Sequence, residues 1–220
     1  MIFLQTAAST TIQVTRSESV IDILMKGGWI LIPILLMSIM AVYLIIEKLT
    51  LLSSVSKIDQ SVINEVCKRV KEKNYAAAHE LGNKYAHPVG RIIAAGFNNP
   101  NRSIKDIEQV IADEAKSEIF ILEKNISFIG TIASIAPMFG FLGTIFGVIK
   151  IFYNISLADN ISIGIIAGGL YQKMVSSAAG LTVGILAYAG FFYLNTLIDK
   201  YVHKMEKPLN QVLTTLKDNQ

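Results

Sequence analysis

Three stretches of this chain contain no acidic residue, no basic residue and no histidine: Trp29 to Ile46, Asn125 to Ile149 and Met174 to Ile198. They are 18, 25 and 25 residues long, against the roughly 20 that a helix needs to cross a bilayer core. In lipid the backbone must satisfy its own hydrogen bonds, so each run is predicted to be a transmembrane helix. Charged residues make up only 17% of the chain, below the roughly 25% of soluble domains, and the deficit lies in these runs. The expected fold is all-α: a polytopic membrane protein with three crossings.

The segments between the runs differ from them and from one another. Glu18 to Lys26 places Val20, Ile21, Leu24 and Met25 at helical spacing, predicting a short interfacial helix that stops at Gly27 and Gly28. Trp29 then opens the first crossing, where an interfacial tryptophan is expected. Met1 to Val14 lacks the basic start and long apolar core of a cleaved signal. From Glu47 to Lys124 the chain carries 12 Lys/Arg and 11 Asp/Glu, broken at Lys73-Asn74, His87-Pro88 and Asn98-Asn99-Pro100. Ile58, Val62, Val66 and Val70 mark one apolar face there, and Ile104, Ile107, Ile111 and Ala115 another, which predicts an inserted helical domain.

With no turn signal before Asn125, one helix is predicted from Ser103 to about Tyr153. The loop Asn154 to Ser162 has no Lys or Arg, whereas the inserted domain and the tail (with its four lysines) are rich in them. The positive-inside rule therefore places the domain and tail inside, and the N-terminus and loop outside. The expected boundaries are 1–28 for an outer N-terminus with its interfacial helix and 29–46 for the first crossing. The cytoplasmic helical domain takes 47–124, the second crossing 125–153 and the outer loop 154–162. The third crossing with a cytoplasmic extension takes 163–198 and the tail 199–220. A helix from Asn160 to Ile198 is nearly twice the thickness of a bilayer core, so its end is expected to project into the cytoplasm.

The second crossing carries Gly130, Ala133, Pro137, Gly140, Thr144 and Gly147 on one helical seam; the third carries Lys173, Ser177, Gly180, Gly184 and Ala187. Gly143 with Gly147, and Gly180 with Gly184, are pairs that let backbones approach closely. Helix packing alone accounts for such glycines. A hairpin turning near Asn160 puts Thr144 level with Ser177, deep in the bilayer. Either these hydroxyls bond to carbonyls of their own helices, or they line a polar path. Hydroxyls do not titrate near neutral pH, and the three runs hold no carboxylate or histidine. A proton path would then borrow its acid from a second protein. Lys150 is expected to snorkel to the interface; Lys173, expected to face protein or water, is a candidate pore-facing residue of the ion path alongside Thr144 and Ser177.

Several functions are excluded. There is no G-x-S-x-G, H-E-x-x-H, P-loop or dinucleotide turn, so no enzyme is expected. No cofactor or metal site is indicated. A net charge of +3 without a basic patch does not suit nucleic acid. The single cysteine, Cys67, forms no intrachain disulfide, and His79, His87 and His203 lie far apart in helical cytoplasmic segments.

Ile132 to Ile149 (IASIAPMFGFLGTIFGVI) and Gly168 to Tyr188 (GGLYQKMVSSAAGLTVGILAY) resemble the second- and third-helix signatures of the ExbB/TolQ/MotA proton-channel family, with Lys26 to Lys48 resembling the first helix. The likeness spans about residues 20 to 205 and is nearest ExbB/TolQ, since MotA-type stators have additional crossings. It implies a ring-forming oligomer, a pentamer, in a bacterial inner membrane, with the second and third helices lining a pore. Pro137, Gly140, Gly143, Gly147, Gly180 and Gly184 would pack or line it. The pore would hold a single-span ExbD/TolR-like partner whose membrane aspartate carries the proton. The family's two pore threonines fall on Thr144 and, with the hydroxyl kept, on Ser177. Where many members have a glutamate before the second of these, this chain has Gln172 followed by Lys173. The implied function is a proton-driven energiser of TonB-dependent outer-membrane transport. Tol-type envelope maintenance, a gliding or flagellar stator, and a non-conducting scaffold remain as alternatives.

Overall fold

A computed structural model of the chain describes residues 28–157 and 163–218. Among the described residues the regular elements are all α-helices: α1 (Leu31–Ser54), α2 (Gln60–Lys71), α3 (Tyr75–Lys84), α4 (Pro88–Gly96), α5 (Ile104–Glu123), α6 (Ile126–Ser156) and α7 (Ile163–Lys217). The interfacial helix expected at Glu18 to Lys26 lies outside the described residues, as do the end of the outer loop and the last two residues of the tail.

Three helical stretches are long and apolar enough to cross a membrane: α1, α5 running into α6, and α7. Their apolar residues point outward as well as inward. Ile32, Leu35, Leu36 and Ile39 on α1, Met138 and Phe141 on α6, and Ile185, Leu186 and Phe192 on α7 are all exposed in the isolated chain. Helices apolar on every side suit lipid and neighbouring subunits rather than water. The all-α, three-crossing fold expected from the uncharged runs is the one observed.

The helical domain is set by its capping residues. Asp59 accepts from Ser61 N at 2.9 Å, Asn74 from Ala77 N at 3.1 Å and Ser103 from Asp106 N at 3.2 Å. His87 caps α4, with Pro88 in the first turn. The predicted breaks therefore coincide with helix starts or the turn before one, each supplying an acceptor to otherwise orphaned N–H groups.

The single helix expected from Ser103 to Tyr153 is interrupted. Asn125 takes a left-handed conformation (φ 69°), separating α5 from α6. Asparagine enters that region more readily than most residues, which is why no glycine or proline announces the break. The carbonyls freed at the end of α5 find a cation from another helix. Lys48 of α1 is buried, and its ammonium donates to the carbonyl of Leu122 at 3.2 Å and reaches that of Ile121 at 3.5 Å. A helix C-terminus carries partial negative charge, so a lysine there is favourably placed.

The helix of the third uncharged run extends further than Ile198. α7 runs unbroken to Lys217, about 80 Å at 1.5 Å per residue, so the tail is its last turns. Ile198, Tyr201, Met205, Leu209, Val212 and Leu216 of this extension join Ile63, Val66, Val70, Ile92, Phe97, Ile107 and Ile111 in one core. Each fully buried Ile or Leu contributes roughly 1.5–3 kcal/mol; the exposed ion pairs around it, such as Lys116 with Asp113, contribute 1 kcal/mol or less. Apolar burial thus holds the extension to the domain, with Gln211 bridging Gln60 and Asn64 and Lys217 pairing with Glu108 at the rim. On α2 the buried face is Ile63, Val66, Cys67 and Val70. Of the expected set of Ile58, Val62, Val66 and Val70, Val66 and Val70 are buried and Ile58 packs against the core from just before α2, while Ile63 rather than Val62 takes the buried place in the first turn.

Candidate functional site: the hairpin of α6 and α7

α6 and α7 make the most extensive interhelical contact in the molecule. Their contact line is built from missing side chains. A Cβ placed on Gly143 would lie 2.7 Å from Ser176 Oγ; one on Gly140, 3.0 Å from the Ser177 carbonyl oxygen; one on Gly184, 2.5 Å from Pro137 Cγ. Gly147 is covered by the aliphatic stem of Lys173, and Gly169 by Ile151. These partners pair in antiparallel register, with Thr144 and Ser177 at nearly the same level.

The two sides of this contact line differ. α1 packs on one side, where Ile30 approaches Gly143 and Ile45 covers Gly190. On the other side a groove of about 760 Å³ opens at the end nearer the helical domain, lined by Glu123, Ser127, Thr131, Ser134, Tyr188 and Asn195 among others. Ile126 also lines it. Thr144 follows Ile126, and Ser177 precedes Asn195, by five turns of an α-helix. Both hydroxyl residues therefore sit at the azimuth of the groove, away from α1, and both are half-buried. Thr144 Oγ1 donates to the carbonyl of Phe141 on its own helix at 2.5 Å, leaving its lone pairs as acceptors.

The remaining candidates are placed as follows. Pro137, Gly140, Gly143, Gly147, Gly180 and Gly184 lie on or beside the helix contact line. Lys173 turns toward α1: its ammonium passes 3.8 Å from where a Cβ of Gly28 would stand. The side chain of Gln172 lies outside the described residues. Among the described residues, no three His, Cys, Asp or Glu side chains gather as a metal site.

Sequence reasoning missed three features. Ser176, not its neighbour, is the fully buried hydroxyl, donating to the carbonyl of Lys173 at 2.8 Å against Gly143. Ser127, Thr131 and Ser134 form a hydroxyl stripe whose steps of four and three could have been read directly. Thr131 and Ser134 donate to their own helix, to Ser127 and Gly130 carbonyls. The third is the ion pair of Glu118, almost fully buried, with Arg91, whose Nε and second terminal nitrogen reach its two oxygens at 2.5 and 2.6 Å. That pair raises the Arg91 pKa and fastens α4 to α5. Beside it, His87 donates from Nε2 to the carbonyl of Val55 at 3.1 Å and accepts Val89 N at 3.2 Å on Nδ1. Burial lowers its pKa, so it is held neutral. These links, with Lys48, tie the ends of α1 and α5 to the helical domain.

Residues 84–207 match the MotA/TolQ/ExbB proton channel family. The chain belongs to that family. The matched segment contains α4, α5, α6 and most of α7, and so both helices of the hairpin. Among relatives, the biopolymer transport protein ExbB-like 3 of Synechocystis sp. is 27% identical over 172 residues, 76% of this chain and 82% of that protein. The biopolymer transport protein exbB1 of Vibrio cholerae is 25% identical over 201 residues, covering 89% and 87% of the two chains. The Tol-Pal system protein TolQ of Haemophilus influenzae is 27% identical over 100 residues, 46% of this chain and 44% of its own. The protein is thus a multi-pass inner-membrane protein of a proton-channel family and not an enzyme.

Proposed function

We propose that this chain is the ring subunit, in a pentamer, of a proton-driven motor that energises TonB-dependent outer-membrane transport. A single-span partner of the ExbD/TolR type would stand in the ring lumen, with its outer domain passing work to a TonB-like protein. The N-terminus and the α6–α7 turn would face the periplasm, and the helical domain the cytoplasm. The observation that carries this reading is the common level and common side of Thr144 and Ser177, on the face that α1 leaves open. Relatives over most of the chain's length are biopolymer transport proteins by name, which favours the TonB branch over the Tol branch.

The mechanism follows from what the uncharged runs lack. With no titratable acid of its own, the wall offers hydroxyls, and the partner brings an aspartate. Ionised, that aspartate is unfavourable in lipid by about 2.5–3.5 kcal/mol on insertion scales and is stabilised by the Ser177 hydroxyl and by that of Thr144 once it turns from the Phe141 carbonyl to donate to the carboxylate. Protonated from the periplasmic side, it releases them, and the partner shifts against the ring. Ser134, Thr131 and Ser127 continue the polar surface toward the cytoplasm, where Glu123 ends the groove. Each proton crossing 100 mV delivers about 2.3 kcal/mol, so several are needed per unit of work.

The test is proton flux into vesicles containing the protein co-purified with its partner. Thr144→Val and Ser177→Ala are expected to leave the complex assembled and to abolish flux. Normal flux in both would remove the hydroxyl role; no flux in the unaltered complex would make this a scaffold.

A further inference from the structure

On the α1 side of the hairpin, two lysines share a small cavity. It measures about 150 Å³ and is lined by Gly28, Trp29, Gly143, Phe146, Lys150 and Lys173, with Ile30 at its back. Among the described residues no acidic side chain lines it and neither lysine forms an ion pair. An ammonium at membrane depth ordinarily pairs or reaches water, and two of them in one cavity repel each other unless an anion lies between.

The surroundings say what kind of anion. The cavity stands at the start of α1, beside Trp29, the residue type that marks the membrane–water boundary. Trp29 is largely exposed and Phe146 half-exposed at its edge, giving apolar walls next to the two charges. Gly28 takes a positive φ of 80° and shows bare backbone to the Lys173 head. The volume equals about five water molecules, enough for a phosphate and its hydration. An acid travelling in the groove on the opposite face has no route to it, since the α6–α7 contact line lies between.

We propose that Lys150 and Lys173 bind the phosphodiester head group of an anionic phospholipid, drawn from the leaflet at the hairpin end, with its acyl chains against Trp29 and Phe146. The lipid would wedge between α1 and the hairpin and hold them in register. This site is separate from the proton path and stands whether or not the hairpin conducts.

The full-length protein, with its partner, is reconstituted in nanodiscs of phosphatidylcholine with a minor fraction of phosphatidylglycerol. Lipid retained after detergent extraction is then counted by native mass spectrometry. Phosphatidylglycerol is expected to be enriched over its input fraction, with the enrichment shrinking at 1 M salt, where the screening length is about 3 Å. Lys150→Gln and Lys173→Gln should each reduce it about fivefold, as for one lysine near an anionic surface. Because Lys173 packs on Gly147, the exposed Lys150→Gln decides the matter if the other variant does not assemble. Equal retention of the two lipids, or enrichment unchanged by Lys150→Gln, overturns the proposal. So does enrichment that arises only after Glu18→Gln with Asp22→Asn, which would mean that the chain's own carboxylates fill the cavity.

Discussion

Gly180 stands so close to Gly140 that a Cβ on it would lie 2.8 Å from the Gly140 Cα and 2.6 Å from the carbonyl oxygen of Ala136. Both obstacles are backbone, so no rotamer change relieves them. Two helices meeting in lipid gain little from the hydrophobic effect and depend on this closeness for packing. Gly180→Ala should therefore lower the thermal midpoint of the detergent-solubilised protein, by overpacking of about 1–3 kcal/mol. Gly180→Leu should separate α6 from α7, and native mass measurement is expected to show no assembled ring.

Ser176 and Ser177 are neighbours with opposite surroundings, and they should respond differently. Ser176 is buried against Gly143, and its hydroxyl serves its own helix. Ser176→Ala is expected to leave proton flux unchanged and stability within about 1 kcal/mol. Ser177→Ala should lose flux. Identical behaviour of the two variants in the same flux assay would show that depth alone, and not the groove side, matters.

The Arg91–Glu118 pair is lopsided: Glu118 is 3% exposed and Arg91 54% in their side chains. Removing the arginine strands a buried carboxylate. For fully buried pairs that step is worth about 3–5 kcal/mol; with one partner half in water, about 2–3 kcal/mol is expected for Arg91→Ala. The double variant Arg91→Met, Glu118→Met should recover most of it, since neither charge remains. Chemical denaturation followed by circular dichroism distinguishes the two.

His87 makes the helical domain sensitive to acid. Its pKa is lowered in the folded chain because burial disfavours the charged ring, while in the unfolded chain it is near 6.5. Its contribution to stability is therefore complete above about pH 6.5 and is lost as pH falls below that value toward the folded pKa. The slope attains at most about 1.4 kcal/mol per pH unit. Protonation would also occupy Nδ1, which accepts Val89 N. Denaturation midpoints between pH 7.5 and 5 should fall for the unaltered protein, and more shallowly for His87→Asn, whose side chain still caps α4.

Much of the hairpin could be read without coordinates. Glycines spaced by threes and fours mark a helix seam whatever surrounds them, and the turn near Asn160 made Thr144 and Ser177 level by arithmetic of helical rise. Azimuth was harder. A seam drawn through Ser177 missed that Ser176 takes the buried place, because one residue rotates the position by about 100° and spacing alone does not say where the partner helix stands. Lys173 shows the same gap: its side chain goes to Gly147 and Gly28, on the α1 side.

The chain's own order of residues determined that it crosses the membrane three times, since no other arrangement lets runs of 18 to 25 uncharged residues satisfy their backbone in lipid. It also determined where the domain's helices begin, because caps act over three residues. The tertiary structure decided what depends on contacts between distant segments. Lys48 completes the end of α5 from 74 residues away, α7 runs past Ile198 because a core awaits its apolar face, and α1 leaves one side of the hairpin open. Local preference is written along the chain; which face meets which is settled only when the helices pack.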